Sequence, residues 1–252
     1  MEIFAIIAIF AFVIVAVAIV LLRNENSISN KGERGERRIS EIMRNSLPQE
    51  YIVFDDLMFE NGKHTTQIDH IIVSPYGIFV IETKNYSGAI YGSEDSNDFT
   101  QYLGNKKHNL YNPIKQNVGH INMLYKVIGK YKYISLVIFL DEADLNITTS
   151  TFVGYKYDAV DYIKSFYQEA ISAENISSII DNINRLNIVD EQKRTEHIEN
   201  VKQKAAQYKN RLDNGFCPRC GRRLVRRKGK NGMFMGCSNY PNCNFSDNIS
   251  NF

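Results

Sequence analysis

The first 210 residues of this 252-residue chain contain no cysteine, and the whole chain contains no tryptophan. The missing cysteines exclude a disulfide-stabilised body of the kind found in small secreted domains. All four cysteines lie in the remaining C-terminal segment, in two close pairs. Clustered cysteines with none left over indicate a metal site in a reducing compartment.

A second absence is charge of either sign between Ile3 and Leu22, a run of apolar residues rich in Ile, Val, Ala and Phe. At about 1.5 Å per residue, a helix of this length spans a hydrocarbon core of ~30 Å. A cleaved signal peptide would have a basic start, a shorter apolar core and a small-residue cleavage site, whereas branched residues here continue up to Arg23. We therefore expect residues 1–23 to be a transmembrane anchor that is not cleaved, with a polar linker over residues 24–31.

Basic residues lie on one side of this apolar run, because no lysine or arginine precedes it. Those that follow it closely are Arg23, Lys31, Arg34, Arg37 and Arg38. The positive-inside rule then predicts a single-pass protein of the cell membrane with its C-terminal bulk in the cytoplasm. The cysteine argument, which is independent of these charges, predicts the same compartment.

The stretch from Gln67 to Lys84 predicts a β-hairpin that carries charged residues on a face that strands normally bury. Apolar residues alternate on both sides of Ser74-Pro75-Tyr76-Gly77, a sequence typical of a turn. With these four residues as the loop, the opposed pairs are Val73 with Ile78, Ile71 with Val80, Asp69 with Glu82 and Gln67 with Lys84. Directly opposed side chains share one face of a sheet and lie about 4.5–5.5 Å apart, so the charged pairs extend an apolar stripe.

Asp69 and Glu82 would repel each other as facing carboxylates unless a cation lies between them. Mg²⁺ removes this repulsion, because it is typically held by one or two carboxylates together with water and phosphate oxygens. Lys84 follows on the same face, where an ammonium group can orient a metal-bound water and stabilise charge on phosphorus. The sequence therefore indicates metal-dependent phosphodiester cleavage with Mg²⁺ or Mn²⁺. The alternative is a solvated hairpin face whose charges align by chance.

The hydrophobic pattern around the hairpin predicts helices and strands. Residues 32–47 predict a helix and residues 51–59 a strand. Asn112-Pro113 is a helix start, with Asn as the cap and Pro at the first helical position, and this helix continues to about Ile128. The apolar run over residues 133–140 predicts a strand buried on both faces. The core is thus an α/β fold, a mixed sheet flanked by helices.

The charged residues of the hairpin resemble the motif of the PD-(D/E)xK nuclease superfamily. With Gln67 before the aspartate and Gly35-Glu36 on the first helix, they resemble the nuclease-related domain (NERD) family more specifically. The resemblance assigns residues 32–147 to a nuclease-like domain and implies DNA phosphodiester hydrolysis by Asp69, Glu82 and Lys84. It also implies assisting roles for Glu36 and Gln116, each of which is otherwise an ordinary polar residue of a helix.

Other residues near the motif are interpreted as structural and not as catalytic. The family pattern has a tryptophan between the hairpin and the next helix, where this chain has Phe99 as the substitute. His70 points to the face opposite Asp69. His120, one helical turn beyond Gln116, could approach the site, but the favoured interpretation is a partly exposed helix residue. Residues 148–210 are mostly helical in pattern and have no assigned role.

The last segment, residues 211–252, has the cysteine spacing of a small zinc module. Cys217 and Cys220 form a Cys-x-x-Cys pair, and Cys237 and Cys243 form the second pair. Four thiolates suit a tetrahedral structural Zn²⁺ with no open coordination position. A module of this size cannot bury enough apolar surface to fold unaided, so the metal supplies folding free energy.

These residues resemble the zinc ribbons at the C-terminus of bacterial type I topoisomerases. The resemblance implies binding of single-stranded DNA, in which aromatic rings stack on bases and basic groups contact phosphates. The predicted stacking residues are Phe234, Tyr240 and Phe245. The predicted phosphate contacts are Arg219, Arg222, Arg223, Arg226, Arg227, Lys228 and Lys230. Residues 211–252 contain eight Lys/Arg against two Asp/Glu, a net charge of +6, so the rest of the chain carries −4 of the total of +2. The attraction for nucleic acid is therefore concentrated in this segment.

Together these features predict a membrane-anchored, cytoplasmic, DNA-binding protein that is a metal-dependent DNA nuclease. The expected partners are DNA, single-stranded for the ribbon, and the membrane through one N-terminal helix. The first alternative is a catalytically inactive, membrane-tethered DNA-binding module that uses the ribbon. The second is a protein-interaction scaffold, which salt-dependent DNA affinity would separate from the other two.

Overall fold

The computed structural model describes residues 31–140, 142–229 and 232–248. The predicted transmembrane anchor, the linker up to residue 30 and Lys230 lie outside these ranges. Within them, no helix combines the length and the apolar character needed to cross a membrane. The chain divides into two compact units, Met1–Ile188 and Val189–Phe252.

Helices and strands both contribute to the first unit, whose described part contains, in chain order, α1 (31–46), β1 (Ile52–Asn61), β2 (His64–Ser74), β3 (Gly77–Lys84), β4 (Gly88–Ser93), β5 (Asp98–Leu103), β6 (Lys106–Tyr111), α2 (Pro113–Val127), β7 (Tyr133–Phe139), β8 (Ala143–Thr148), β9 (Phe152–Tyr155), α3 (Lys156–Lys164) and α4 (Ala173–Leu186). The second unit contains α5 (Glu191–Asp213), β10 (Leu224–Gly229), β11 (Gly232–Cys237) and β12 (Ser246–Asn248). The prediction of an α/β fold is confirmed.

The central sheet has the strand order β1-β2-β3-β7-β9. β1, β2 and β3 are antiparallel neighbours, whereas β3 and β7, and β7 and β9, run parallel. β3 and β7 are almost entirely buried, as is usual for parallel strands covered on both faces. The sheet is therefore mixed, as the sequence predicts.

Helices cover both faces of the central sheet. On one face, Ile39 of α1 packs in a buried cluster with Phe79. On the other face, Leu124 of α2 packs in a cluster with Val80. α2 begins as predicted, with the side chain of Asn112 accepting a hydrogen bond from the backbone N–H of Ile114 at 2.9 Å.

A second sheet, with the strand order β6-β5-β4-β8, is an addition to the predicted fold. Its inner face buries Ile90 and Phe99 in a cluster with Phe139 of the central sheet. Three of its strands, β4, β5 and β6, lie between β3 and α2 in the chain, so they connect two elements that carry candidate site residues. The polar sequence of β6, KKHNLY, gives little periodic signal for a strand.

The second unit combines a long helix with a small antiparallel sheet. α5 contains no buried residue. β10, β11 and β12 form a three-stranded sheet above a compact core of Cys217, Leu224, Cys237 and Phe245. Leu212, near the end of α5, packs against this core.

Candidate active site and metal centre

The β2–β3 hairpin has the register that its sequence predicts over its apolar part. Ile71 lies opposite Val80, and Val73 lies opposite Ile78. The pairing continues to His70 and Ile81 and stops there. The predicted oppositions of Asp69 with Glu82 and of Gln67 with Lys84 are therefore not found, because β2 separates from β3 beyond this point. Gln67 instead pairs with Met58 and donates its side-chain amide to Asp56 Oδ1 at 2.8 Å.

Asp69 is the residue of β2 that has a backbone partner in neither neighbouring strand. On the β1 side, the pairing passes from Asp55 to Leu57 and omits Asp56. Asp56 has φ of 50° and is the one non-glycine residue with positive φ in the described part of the chain. Such a conformation costs of the order of 1–3 kcal/mol and is common near functional sites. The carboxylate of Asp69 accepts the backbone N–H of Thr83 at 2.7 Å, which holds it against β3.

Glu82 and Lys84 form the centre of the candidate site. Lys84 Nζ donates to Glu82 Oε1 at 2.6 Å and to Gln116 Oε1 at 3.1 Å. The Glu82 side chain is 2 % exposed, whereas Asp69 is partly exposed. Gln116 lies in the first turn of α2, so the predicted site residues from the hairpin and from this helix do meet.

His120 is a member of this site that the sequence interpretation missed. It is buried, with Nε2 3.0 Å from Glu82 Oε2 and Nδ1 2.8 Å from Thr66 Oγ1. The prediction of a partly exposed histidine is wrong, because α2 turns this side chain toward the hairpin. The spacing of Gln116 and His120, four residues apart on one helix face, is the signal that could have identified it.

Asn117 positions α2 for these contacts. Its buried side-chain amide donates to the backbone carbonyls of Val80 and Leu136 at 2.8 and 3.1 Å, and lies 2.9 Å from Ser135 Oγ. Each buried hydrogen bond of this kind typically contributes about 1 kcal/mol. The helix is thereby fastened to β3 and β7, which fixes Gln116 and His120 above the hairpin.

The electrostatics of the site follow from its crowded carboxylates. Burial and the negative charges of Glu82 and Glu36 raise the pKa of Asp69 well above its usual range. Burial would also raise the pKa of Glu82, but the Lys84 ammonium and the His120 imidazole outweigh it and lower that pKa. Burial would lower the pKa of Lys84, but Glu82 raises it. Glu82 and Lys84 are therefore an ion pair, while for Asp69 the charge of Lys84 and the Thr83 N–H offset the raised pKa only in part.

Glu36 reaches this region from α1. Gly35 makes the approach possible: a Cβ there would lie 3.0 Å from Leu140 Cδ1 and 3.2 Å from Asn85 Nδ2. Burial is the main cause that raises the pKa of Glu36, and the nearby charges of Asp56 and Glu82 add to it, against the lowering effect of His70. Glu36 is thus within electrostatic range of the site.

His70 lies on the opposite face of the hairpin, as predicted. Its Nδ1 lies 2.7 Å from Asp55 Oδ1. Ser40 and Arg44 of α1 also donate to Asp55, each at 2.6 Å. Burial alone would raise the pKa of Asp55, but these hydrogen bonds hold it well below its usual range. This cluster ties α1 to β1 and β2.

The four cysteines of the second unit converge on one point. Their Sγ atoms all lie within 4.8 Å of one another, with Cys217 and Cys243 3.7 Å apart and Cys220 and Cys237 3.3 Å apart. Zn–S bonds of about 2.3 Å would place tetrahedral sulfurs about 3.8 Å apart. The backbone N–H of Arg222 is the first cause that lowers the pKa of Cys220 to about 7. The ligand set fits a structural Zn²⁺, as predicted.

The predicted nucleic-acid contacts of the ribbon differ in exposure. Tyr240 is 64 % exposed, and the Arg227 guanidinium lies 5.5 Å from its ring centroid. Together with Lys228 and Phe234, they line a cavity of about 600 Å³. Phe245 is 2 % exposed and lies 6.4 Å from the ring of Tyr208. Its prediction as a stacking residue is corrected, because its ring belongs to the ribbon core and has no free face for a base.

The other predicted phosphate contacts that the structure describes are on the ribbon surface. The exposed residues are Arg219, Arg222, Arg223 and Arg226. Two of these arginines cover aromatic rings: Arg219 lies 5.3 Å from the centroid of Phe245, and Arg223 lies 5.5 Å from that of Phe216. The guanidinium groups are held at the surface by these contacts.

Comparison with known proteins identifies the same two parts of the chain, the nuclease-like domain and the zinc ribbon. Residues 31–140 match the family model of the nuclease-related domain, and residues 214–251 match that of the topoisomerase DNA-binding C4 zinc finger. An uncharacterised protein of Bacillus anthracis is 31% identical over 210 residues, which is 79% of this chain and 97% of that protein.

Two further relatives are similar to the zinc-ribbon segment alone. DNA topoisomerase 1 of Methanocaldococcus jannaschii is 54% identical over 38 residues, 15% of this chain and 5% of the topoisomerase. The uncharacterised protein YrdD of Escherichia coli is 54% identical over 33 residues, 13% of this chain and 18% of that protein. This chain therefore spans only a small part of either relative. No solved structure matches the chain.

The Bacillus anthracis relative is matched over nearly its whole length, and the family model covers the helix, hairpin and α2 that form the candidate site. The chain therefore belongs to the nuclease-related domain family, and it ends in a zinc ribbon of the topoisomerase C4 type.

Proposed function

We propose that this protein is a metal-dependent DNA nuclease with a PD-(D/E)xK active site, anchored in the cell membrane with its two units in the cytoplasm. The observation that carries the proposal is the convergence of Asp69, Glu82, Lys84 and Gln116 at the end of the β2–β3 hairpin. The family and the ribbon support binding of DNA.

Asp69 and Glu82 are the residues that would hold Mg²⁺ or Mn²⁺. Carboxylate oxygens are the ligands that these hard cations prefer. The pKa of Asp69 is raised by burial and by the negative charges of Glu82 and Glu36, and a cation would neutralise this charge. When bound, the ion supplies a polarised phosphate and a water of lowered pKa. Glu36 adds a third carboxyl group that can orient this water.

Lys84 has three N–H donors, and Glu82 and Gln116 accept from two of them. The third is available to a non-bridging phosphate oxygen, where the ammonium stabilises the negative charge that develops during hydrolysis. Gln116 holds the Lys84 side chain in this direction. His120 and Lys84 hold both oxygens of Glu82, so the carboxylate has one fixed orientation.

The ribbon would bring single-stranded DNA to this protein. Its exposed Tyr240 offers a ring face for a base, and Arg227 and Lys228 beside it offer charge for phosphates. Stacking and phosphate contacts of this kind bind single strands with little dependence on sequence. The ribbon thus selects the form of the nucleic acid and not its sequence.

A cleavage assay tests the nuclease. Full-length protein in detergent should cut single-stranded DNA with Mg²⁺ or Mn²⁺ and should not cut without them; EDTA is avoided because it would also remove zinc. Asp69→Asn and Lys84→Met should abolish cleavage. Asn preserves the acceptor for Thr83, so the fold is maintained. Asp144→Asn and Lys126→Met, on exposed positions of β8 and α2, are matched controls and should be fully active.

The rival function is a DNA-binding protein that no longer cleaves. The observation in its favour is that both oxygens of Glu82 already accept hydrogen bonds while the side chain is 2 % exposed. This rival predicts DNA binding without cleavage under every metal condition. This rival is supported if the wild type and Asp69→Asn bind DNA equally well and neither of them cuts it.

The membrane anchor is tested by fractionation. Full-length protein produced in bacterial cells should remain in the membrane pellet after an alkaline wash, and a variant without residues 1–23 should be in the soluble fraction. The basic flank after the apolar run supports a cytoplasmic position for the rest of the chain. Protease added to spheroplasts should therefore leave the protein intact, and protease added after lysis should digest it. Digestion before lysis would show that the chain has the opposite orientation.

A further inference from the structure

Apolar side chains of α5 recur at a spacing that places them in one line along the helix. They are Ile198, Val201, Ala205, Tyr208 and Leu212, separated by three, four, three and four residues. At about 3.6 residues per turn, this spacing keeps all of them on one side of the helix. A line with only these intervals is the narrow seam along which two helices pack side by side. The pattern is therefore typical of a helix that pairs with a second helix.

Most of this line is exposed to solvent. No residue of α5 is buried, and Ile198, Val201 and Tyr208 are 48 %, 51 % and 38 % exposed. The end of the line is covered, because Leu212 packs against the ribbon core. We call the part before it, Ile198, Val201, Ala205 and Tyr208, the α5 stripe. Most helical stability in proteins comes from burial of an apolar face, so the α5 stripe is a surface that a partner would bury.

The charges of α5 are sorted around the α5 stripe. In the heptad notation that places Ile198 at position a and Val201 at position d, the positions beside the stripe are e and g. The lysines and arginine that follow Ile198 in the helix all lie at e or g: Lys202, Lys204, Lys209 and Arg211. The acidic residues from position 196 onward lie at f or b, away from the stripe: Glu196, Glu199 and Asp213. The basic side chains thus form two rows, one on each side of the stripe.

Two basic rows beside an apolar stripe fit a helix that has its own apolar stripe with acidic residues on both sides. Opposite charges at e and g form ion pairs across such a contact and determine which helices pair. A second copy of α5 would place Lys204 against Lys209 in a parallel pair, and each lysine against its own copy in an antiparallel pair, so both arrangements repel. A nucleic-acid backbone offers negative charge without an apolar stripe. A bilayer takes up a wider and more apolar face than a line that includes Ala205.

We infer that the α5 stripe is a docking surface for an amphipathic helix with acidic flanks, supplied by another protein. From Ile198 to Tyr208 the helix rises about 15 Å, so the contact is small and the complex is transient. The partner would lie beside the ribbon, because the line continues to Leu212 and the ribbon core. The inference is independent of the proposed nuclease and of DNA binding, since no residue of the α5 stripe has a part in either.

Two synthetic peptides of three heptads each are the probes. Both have Ile at a and Leu at d; one has Glu at every e and g position, and the other has Lys there. Their affinity for the full-length, zinc-loaded protein in a neutral detergent is measured by fluorescence anisotropy of the labelled peptide. Val201→Asn removes an apolar residue from the α5 stripe. Val189→Asn, at a 76 % exposed position before α5, is the matched control. Asn and Val have similar helix propensities, so α5 is maintained, which circular dichroism verifies.

The wild type and Val189→Asn should bind the acidic peptide equally well. Val201→Asn should bind it about tenfold or more weakly, because the burial of one valine is lost. The basic peptide should not bind the wild type. Lys202→Glu/Lys209→Glu should reverse this preference and bind the basic peptide better than the acidic one. Equal affinity of the wild type and Val201→Asn for the acidic peptide, or of the wild type for the two peptides, overturns the inference.

Two further measurements test the other occupants. Light scattering after size-exclusion chromatography should show the same mass for the wild type and Val201→Asn; a dimer that this variant dissociates assigns the α5 stripe to a second copy. Val201→Trp introduces a tryptophan into a chain that has none, and its emission should shift to shorter wavelength when the acidic peptide is added. The same shift in nanodiscs of anionic lipid, without peptide, assigns the stripe to the membrane. Either result overturns the inference.

Discussion

His120 holds the oxygen of Glu82 that Lys84 does not: Nε2 of His120 lies 3.0 Å from Oε2, and Nζ of Lys84 lies 2.6 Å from Oε1. The histidine is in turn held through Nδ1 by the hydroxyl of Thr66 at 2.8 Å. Because Glu82 is ionised, Nε2 must carry the proton and donate it. The orientation of a candidate metal ligand is thus set by a helix residue and by a strand residue that lies outside the motif.

Replacement of His120 by leucine should destabilise the protein and reduce cleavage. The buried carboxylate of Glu82 would lose a donor, at a cost of about 1–3 kcal/mol. His120→Gln places an N–H donor near the same point and should restore part of both properties. Urea denaturation and the initial cleavage rate measure the two effects. His108→Leu, at an exposed histidine of β6, should change neither, and a His120→Leu variant as stable as the wild type would contradict the assignment.

Stability at acid pH should depend on Asp55. Its pKa is lowered in the folded protein by hydrogen bonds from His70, Ser40 and Arg44, which outweigh burial. A carboxyl whose folded pKa is depressed stabilises the fold above its unfolded pKa of about 3.9, and that contribution is lost as the pH falls through the folded pKa. The wild type should therefore exceed Asp55→Asn in urea midpoint above about pH 4, and the difference should shrink below it. A difference that is constant with pH would refute this.

Loss of one zinc ligand should unfold the ribbon alone. Cys237→Ser should reduce the metal content from one zinc per chain to none, because the buried core of the ribbon is built around the cysteines and depends on the metal for its folding free energy. Metal analysis and thermal unfolding report the two consequences. The transition of the first unit should be unchanged, and Ser238→Ala, at an exposed neighbouring residue, should retain zinc. Full zinc content in Cys237→Ser would argue against the four-cysteine site.

Tyr240 and Phe245 should behave differently when each is replaced by alanine. Tyr240→Ala should retain zinc and weaken binding of single-stranded DNA by about 1–3 kcal/mol, the usual contribution of one stacked base, with a smaller effect on duplex. Phe245→Ala should instead destabilise the ribbon, since its ring is buried. Thermal unfolding and DNA titration separate the two outcomes. Equal DNA affinity for Tyr240→Ala and the wild type would remove stacking from the proposal.

The hairpin could be predicted because alternation and turn residues together fix which face each side chain occupies. That logic gives the opposition of Ile71 with Val80 correctly. It does not give the separation of the strands at Asp69, since the alternating pattern continues through this residue. Aspartate adopts positive φ more readily than most residues, so Asp56 leaves no signal of the irregularity in the sequence.

The sequence also could not predict which side chains are buried by contacts with distant parts of the chain. Tyr240 and Phe245 are both aromatic residues beside ribbon cysteines, and tertiary packing distinguishes them, because Phe245 joins the ribbon core and lies near Tyr208 of α5. His120 is buried because Asn117 draws α2 onto the sheet. The second sheet was missed because its strands are short and polar, and their pairing is decided by the inner residues Ile90 and Phe99.

The gap in backbone pairing at Asp69 has a mechanical consequence. A sheet resists deformation because each residue is tied to strands on both sides; Ile71, for example, is paired with both Phe54 and Val80. Asp69 has no such register partner on either side, and the contact that connects it to β3 is the hydrogen bond from the Thr83 N–H to its carboxylate at 2.7 Å. At this point the hold of β2 on β3 therefore depends on a side chain of the candidate site, whereas elsewhere in the hairpin it depends on backbone pairing.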